Sequence, residues 1–226
     1  SMPLSASIVL AALYAGIQAL FLTGMHTDVA GAQRGVAPGA LLQIGAQGRR
    51  VGFRIEGIPP VGLPQKPSPF YGAATPQLSL FNGAVRYAVD SSSTLWAGFG
   101  ETVINQKTPL PNLSQVVASR LAGLRYEVMY RALLGSGHFV ELIAGGAPHL
   151  TGADHYFYSI PHSGVDRPEI AAEEDAQAAW GVRLRGSELL LGARTIDFSA
   201  RYAATGAAAD RNNGAGLMLE WRRFIK

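Results

Sequence analysis

Between Leu124 and Ala132 the chain alternates. Leu124, Tyr126, Val128, Tyr130 and Ala132 are apolar or aromatic, whereas Arg125, Glu127, Met129 and Arg131 between them are mostly charged. Successive side chains of a strand point to opposite faces, so this spacing predicts a strand with one greasy and one charged face. A helix would scatter the arginines around its circumference. The pattern recurs along the chain. Val51, Phe53 and Ile55 oppose Gly52, Arg54 and Glu56; Phe81, Val85, Tyr87 and Val89 oppose Asn82, Ala84, Arg86 and Ala88. Val140, Leu142 and Ala144 oppose Phe139, Glu141 and Ile143. Trp180, Val182 and Leu184 oppose Gly181, Arg183 and Arg185. Ile196, Phe198, Ala200 and Tyr202 oppose Thr195, Asp197, Ser199 and Arg201, and Leu217, Leu219 and Trp221 oppose Met218, Glu220 and Arg222. Residues 95–104 read as a strand whose faces the pattern does not assign.

The connections alternate in length. Asp90-Ser91-Ser92-Ser93, Leu134-Gly135-Ser136-Gly137 and Gly186-Ser187 are tight-turn signals. Between them lie long polar or Pro-rich stretches: 59–77, which holds six prolines, then 105–115, 148–174 and 204–213. Short turns on one side and long loops on the other are the layout of a membrane-spanning barrel. The strand count is about eight if 40–58 is one bulged strand. Apolar parity shifts at Gln47-Gly48-Arg49-Arg50, however, and a tight hairpin there gives nine strands, or ten if the N-terminal segment joins.

Composition agrees with this reading. Hydrophobic residues make up 48% and charged residues 15% of the 226, against a usual charged fraction of roughly 25%. Beyond residue 32 no apolar run approaches the ~20 residues that a membrane helix requires. There is no cysteine, which excludes disulfides and thiol chemistry. The net charge is +3 without any run of five or more Lys and Arg, so no nucleic-acid partner is expected. Residues 8–22 are uncharged and almost wholly apolar, and Ala30-Gly31-Ala32 follows as a cleavage signature. Together they predict a signal peptide over 1–32 and a barrel over 33–226; an uncleaved anchor or a further barrel strand are the other readings of the same residues.

Alternation, Tyr, Phe and Trp near strand ends, unequal connections and a last strand carrying Ala215, Leu217, Leu219, Trp221 and Ile225 all stand in residues 40–225. In these features the chain resembles the small outer-membrane β-barrel proteins of Gram-negative bacteria. It departs from them at its end, where Arg223 interrupts the pattern and Lys226 replaces the usual terminal aromatic. The resemblance implies an all-β fold, a closed antiparallel up-and-down barrel with short periplasmic turns and long extracellular loops. It further implies residence in the outer membrane, contact with outer-membrane lipid, and insertion by the barrel assembly machinery. It leaves activity open, because a fold does not fix a function.

Two groups of residues are candidates for function. The charged faces would give a lumen network of Arg54, Glu56, Arg86, Arg125, Glu127, Arg131, Glu141, Arg183, Arg185, Asp197, Arg201, Glu220 and Arg222. In an eight-stranded barrel such side chains fill the interior and must pair, which favours a salt-bridged plug over an ion path. The 148–174 loop collects His149, Asp154, His155, Tyr156, Tyr158 and His162. Their spacing fits neither a hydrolase nor a metal motif, so neither a catalytic residue, a metal nor a cofactor is assigned. The function expected is a structural or surface-interaction barrel with a largely closed lumen and no enzymatic activity. A narrow porin-like transporter, a soluble lipocalin-like ligand-binding barrel and an outer-membrane hydrolase using the 148–174 loop are the alternatives. The face of the 124–132 strand that turns outward separates the membrane forms from the soluble one.

Overall fold

The computed structural model describes residues 12–28, 31–67, 72–73, 75–110, 115–158, 163–166, 168–202 and 208–223. In chain order the strands are β1 (Ala12–Asp28), β2 (Gly31–Gln47), β3 (Val51–Gly62), β4 (Gln77–Ala88), β5 (Leu95–Leu110) and β6 (Gln115–Gly135). Then come β7 (His138–Ala147), β8 (Thr151–Tyr158), β9 (Ser163–Asp166), β10 (Pro168–Leu184), β11 (Ser187–Tyr202) and β12 (Ala208–Arg223). Strands β1 to β7 pair antiparallel in succession, β7 pairs with β10, β10 with β11, β11 with β12 and β12 with β1, so the sheet closes on itself, while β8 pairs with the upper part of β6 and with β9. Ten strands form the wall, and the β8–β9 hairpin carries it upward.

The hairpin continues two wall strands. Tyr126 of β6 faces Gly146, and Ala122 faces Thr151, so four steps on β6 are matched by five on the rising strand. This one-residue bulge falls at Pro148-His149-Leu150, and proline, which cannot donate to a ladder, belongs at such a break. On the other side Ala147 faces Glu173 and Asp154 faces Asp166, seven steps against seven. The opposite end of the barrel carries the tight turns. Gly135, Ser136 and Gly137 all adopt positive φ there, which the two glycines tolerate without penalty. In the turn after β4, Asp90 accepts bonds from the Ser92 hydroxyl and from the amides of Leu95 and Thr94, and these hold its carboxyl well below the usual carboxylate range.

The outer face in the lower half of the wall is apolar. Leu13, Ile17, Phe21, Phe53, Phe81, Phe99, Leu124, Tyr126, Leu191 and Leu217 stand exposed on it, with Tyr87, Tyr130, Trp180 and Trp221 toward the turn end. Tyr126 and Tyr130 point outward while Arg125 is fully buried. That orientation is the one a lipid-facing barrel needs, and the reverse of a soluble ligand-binding barrel.

The structure fills in two readings that the sequence left open and shortens the expected loops. From Ala12 onward the apolar N-terminal stretch, read from sequence as a signal peptide or as a further barrel strand, runs as β1 between β2 and β12. Leu13, Ile17 and Phe21 face outward and Tyr14, Gln18, Leu20 and Leu22 inward. A short apolar run looks alike in a leader and in a strand that is apolar on both faces. The Gln47–Arg50 segment is a hairpin turn and β1 joins the wall, so of the counts left open, about eight or ten, the barrel has ten strands. The long loops are shorter than expected, because strands extend above the lipid-facing belt: β5 to Leu110, β6 from Gln115, β12 from Ala208, and most of 148–174 in β8, β9 and β10. Above the belt the outer face no longer meets lipid, so the alternation that marks a strand fades while its backbone ladder continues.

Candidate functional site: the barrel interior

The inward side chains of the lower and middle wall make two ionic clusters. The central one joins Arg54, Arg86, Arg125 and Arg194 to Glu56, Glu127, Glu173 and Asp175. Arg54 Nη2 donates to Glu127 Oε2 at 2.9 Å and its Nη1 lies 3.5 Å from Glu56. Arg86 also binds Glu127. Arg125 Nη1 donates to Glu173 at 2.8 Å, and its Nη2 to Asp175. Arg194 closes the circuit by holding both Glu56 and Asp175. Asn82 donates to Glu56 at 3.0 Å and Thr102 to Asn82 at 2.7 Å. Four guanidinium groups thus meet four carboxylates, and all eight residues are buried.

The second cluster lies nearer the turns. Arg222 donates through Nη1 and Nη2 to both oxygens of Glu141, each at 2.7 Å, and through Nε to Glu220 at 2.7 Å. Arg131 and Arg183 share Glu188. Arg131 also stacks its guanidinium over the Phe139 ring at 3.8 Å. Here three cations face three anions. Gln43 donates to Glu220, and Gln18 to Gln43 at 3.3 Å, so buried amides fill the space beside the charges. The forked pairing of Arg222 with Glu141 is the geometry that guanidinium–carboxylate recognition favours.

Above the charges the interior turns apolar. Leu20, Leu22, Leu41, Ile58, Leu78, Leu80, Ile104, Leu121, Leu150, Ile196 and Phe198 form one buried cluster. The space left among Leu22, Ile58, Leu80, Ile104, Ile196 and Phe198 is only about 10 Å³, about the least that can hold a water molecule. Near the turns Phe139, Ala179, Leu190 and Met218 form a second apolar group, and Trp96, Met129 and Ile143 a third. Packing is close there: a Cβ on Gly181 would stand within 2.7 Å of three Phe139 ring atoms. The ring therefore occupies space that only glycine leaves open.

Of the expected lumen residues, Arg54, Glu56, Arg86, Arg125, Glu127, Glu141, Glu220 and Arg222 are brought together inside, and Arg131 joins them partly buried. Arg183 reaches the lower cluster from the rim, with about half its side chain exposed. Arg185 is exposed in the turn. Asp197 and Arg201 are corrected: both lie on the outer wall, Asp197 paired to Arg211 at 2.7 Å and Arg201 to Glu169 at 3.9 Å. On β11 the apolar residues change sides. Leu189 and Leu191 face outward, Ile196, Phe198 and Ala200 inward, so a rule that apolar means outward inverts the upper half of that strand.

Glu173, Asp175, Glu188 and Arg194 were not anticipated. Counting back by twos from the inward position Gly181 reaches Asp175 and Glu173, and counting on from the outward Leu191 sets Arg194 inward. Reading 148–174 as a loop concealed Glu173. Among the loop candidates, His149 is exposed at the bulge. The backbone of Asp154, His155, Tyr156 and Tyr158 runs in β8, and His162 lies outside the described residues. Among the described residues no group of histidine and acidic side chains could hold a metal ion.

No family model and no curated protein matches the chain. Among solved structures it is similar to the outer membrane protease OmpT from Escherichia coli, with 8% identity, coverage of 98% of this chain and 99% of that one, and a TM-score of 0.60. The fold is that of the outer-membrane β-barrels. Neisserial surface protein A also aligns, at 9% identity over 94% of this chain and 97% of that one, with a TM-score of 0.37. So does the Pseudomonas putida toluene transporter TodX, at 7% identity over 95% and 90%, with a TM-score of 0.39.

Proposed function

We propose that the protein is a Gram-negative outer-membrane barrel with a closed lumen, serving a structural or surface-interaction role. The observation that carries this is the filling of the interior among the described residues: charge clusters balanced four to four and three to three, beneath an apolar core in which the space among Leu22, Ile58, Leu80, Ile104, Ile196 and Phe198 is about 10 Å³. Ion conduction needs a wet path, and each buried charge here already has its counterion, so nothing favours a passing ion over the bonds it would break. Outer-membrane lipid contacts the apolar belt, and the barrel assembly machinery inserts the closed wall. Contacts with other molecules then fall to the end opposite the tight turns, where the bulge with His149 and the β8–β9 hairpin rise above the belt, as recognition is carried by connections on a rigid scaffold. Planar-bilayer recording of the refolded protein tests the closed lumen. Absence of stepwise conductance is expected, and stable large-conductance openings would overturn the reading.

A further inference from the structure

Three adjacent strands change character at one height on the outer wall. The outward stripe of β4 climbs through Tyr87, Val85 and Phe81 and then becomes Ser79 and Gln77. That of β5 runs from Leu95 and Phe99 past the exposed Glu101 to Val103, then Asn105 and Lys107. That of β6 runs from Tyr130 up to Leu124 and Ala122, then Arg120. The register sets the polar positions side by side: Ser79 faces Asn105, Asn105 faces Arg120, and Gln77 faces Lys107. Gln106 accepts a bond from Asn212 inside the barrel, which fixes its neighbours Asn105 and Lys107 on the outer face. These residues line a groove of about 340 Å³.

Charge there has one sign. No Asp or Glu occurs between Glu56 and Asp90, or between Glu101 and Glu127. The outward carboxylate of β5, Glu101, lies four residues below Asn105, about 14 Å along the strand at the usual rise. On the far side of Arg120 stands Ala153 of β8, followed by Asp154, whose backbone faces Ser119. Lys107 and Arg120 are exposed, and among the described residues neither has an ion-pair partner. The cations of the opposite wall differ, since Arg211 and Arg201 are paired to Asp197 and Glu169.

A water-soluble anion would have no use for the apolar stripe directly beneath these cations. An upright amphiphile would use both. We propose that Lys107 and Arg120, with the amides of Gln77 and Asn105 and the Ser79 hydroxyl, bind the phosphorylated headgroup of a lipid in the leaflet remote from the tight turns. Its acyl chains lie against Phe81, Val103 and Leu124. Guanidinium and ammonium groups at a bilayer surface attract anionic headgroups, and the Arg fork matches phosphate oxygens. The inference rests on the membrane-spanning reading of the barrel, and the experiment separates the two.

The wild-type protein and the Lys107→Ala/Arg120→Ala variant are refolded into phosphatidylcholine vesicles containing lipid A or dephosphorylated lipid A. After extraction in mild detergent, native mass spectrometry reads the lipid retained. The wild type is expected to keep lipid A and release the dephosphorylated form. The double variant should retain roughly 30-fold less, the sum of two surface cations. A charge-preserving Lys107→Arg/Arg120→Lys variant should retain it. Equal retention by wild type and alanine variant, or of both lipids by the wild type, overturns the proposal. Displacement of lipid A by inorganic phosphate also overturns it, in favour of a free-phosphate site. Heat-modifiable gel migration reports barrel insertion independently. Its loss in the wild type would sink the membrane reading instead.

Discussion

At the scale of single residues, position decides what an ion pair contributes. Glu127 accepts from both Arg54 and Arg86 and lies 3.7 Å from Arg125. Replacing it with alanine leaves buried guanidinium groups with one anion fewer than cations. Glu127→Ala should therefore destabilise the barrel by about 3 kcal/mol, as expected when one partner of a buried pair is removed. Urea unfolding of the protein refolded in lipid vesicles checks this, and an unchanged midpoint would show that the cluster does not act as a unit. Asp197→Ala breaks an equally short pair, with Arg211, but with both side chains roughly half exposed. Its cost should stay under about 1 kcal/mol. Gly181→Ala is a steric counterpart. Because its Cβ would meet the Phe139 ring, overpacking of about 1–3 kcal/mol is expected in the same assay.

At the scale of strands, β1 has the most to say. It pairs along its whole length with β12 on one side and β2 on the other. A chain lacking residues 1–32 would leave both as open edges, which lipid does not tolerate. The deletion should abolish the heat-modifiable, protease-resistant form, and intact-mass analysis of membrane-inserted protein should find Ala12–Asp28 retained. The β8–β9 hairpin should behave otherwise. Removing 155–166 and closing the gap with a Gly-Ser turn shortens the wall above the belt only, so gel migration should persist while surface binding is lost; binding that survives would move the contact site elsewhere. The lower strands were legible in the sequence because lipid outside and charge inside impose strict alternation, as in Leu124 to Ala132. The upper strands were not. On β11 the apolar set moves from Leu189 and Leu191 outside to Ile196 and Phe198 inside, and with it went Arg194, Asp197 and Arg201. Glu173 and Asp175 were missed for a related reason, since the small outward residues Ala176 and Ala178 beside them carry little apolar signal.

At the scale of the whole molecule, the outer wall is apolar toward the tight turns and polar toward the other end. The folded protein should require detergent or lipid to stay dispersed, and should run on gels at one position unheated and at another after boiling. A mature protein that remains monodisperse without detergent would count against membrane insertion. The switch in polarity along β4, β5, β6, β11 and β12 then acts as a waterline. Below it the barrel is a membrane protein, greasy outside; above it the same strands make a small water-soluble barrel, greasy inside. Pushing the molecule deeper would drag Arg120, Lys107 and Glu174 into hydrocarbon, and lifting it would strip lipid from Phe21, Phe81 and Phe99. Both displacements cost free energy, so the chain fixes its own floating depth and needs no anchor to hold it there.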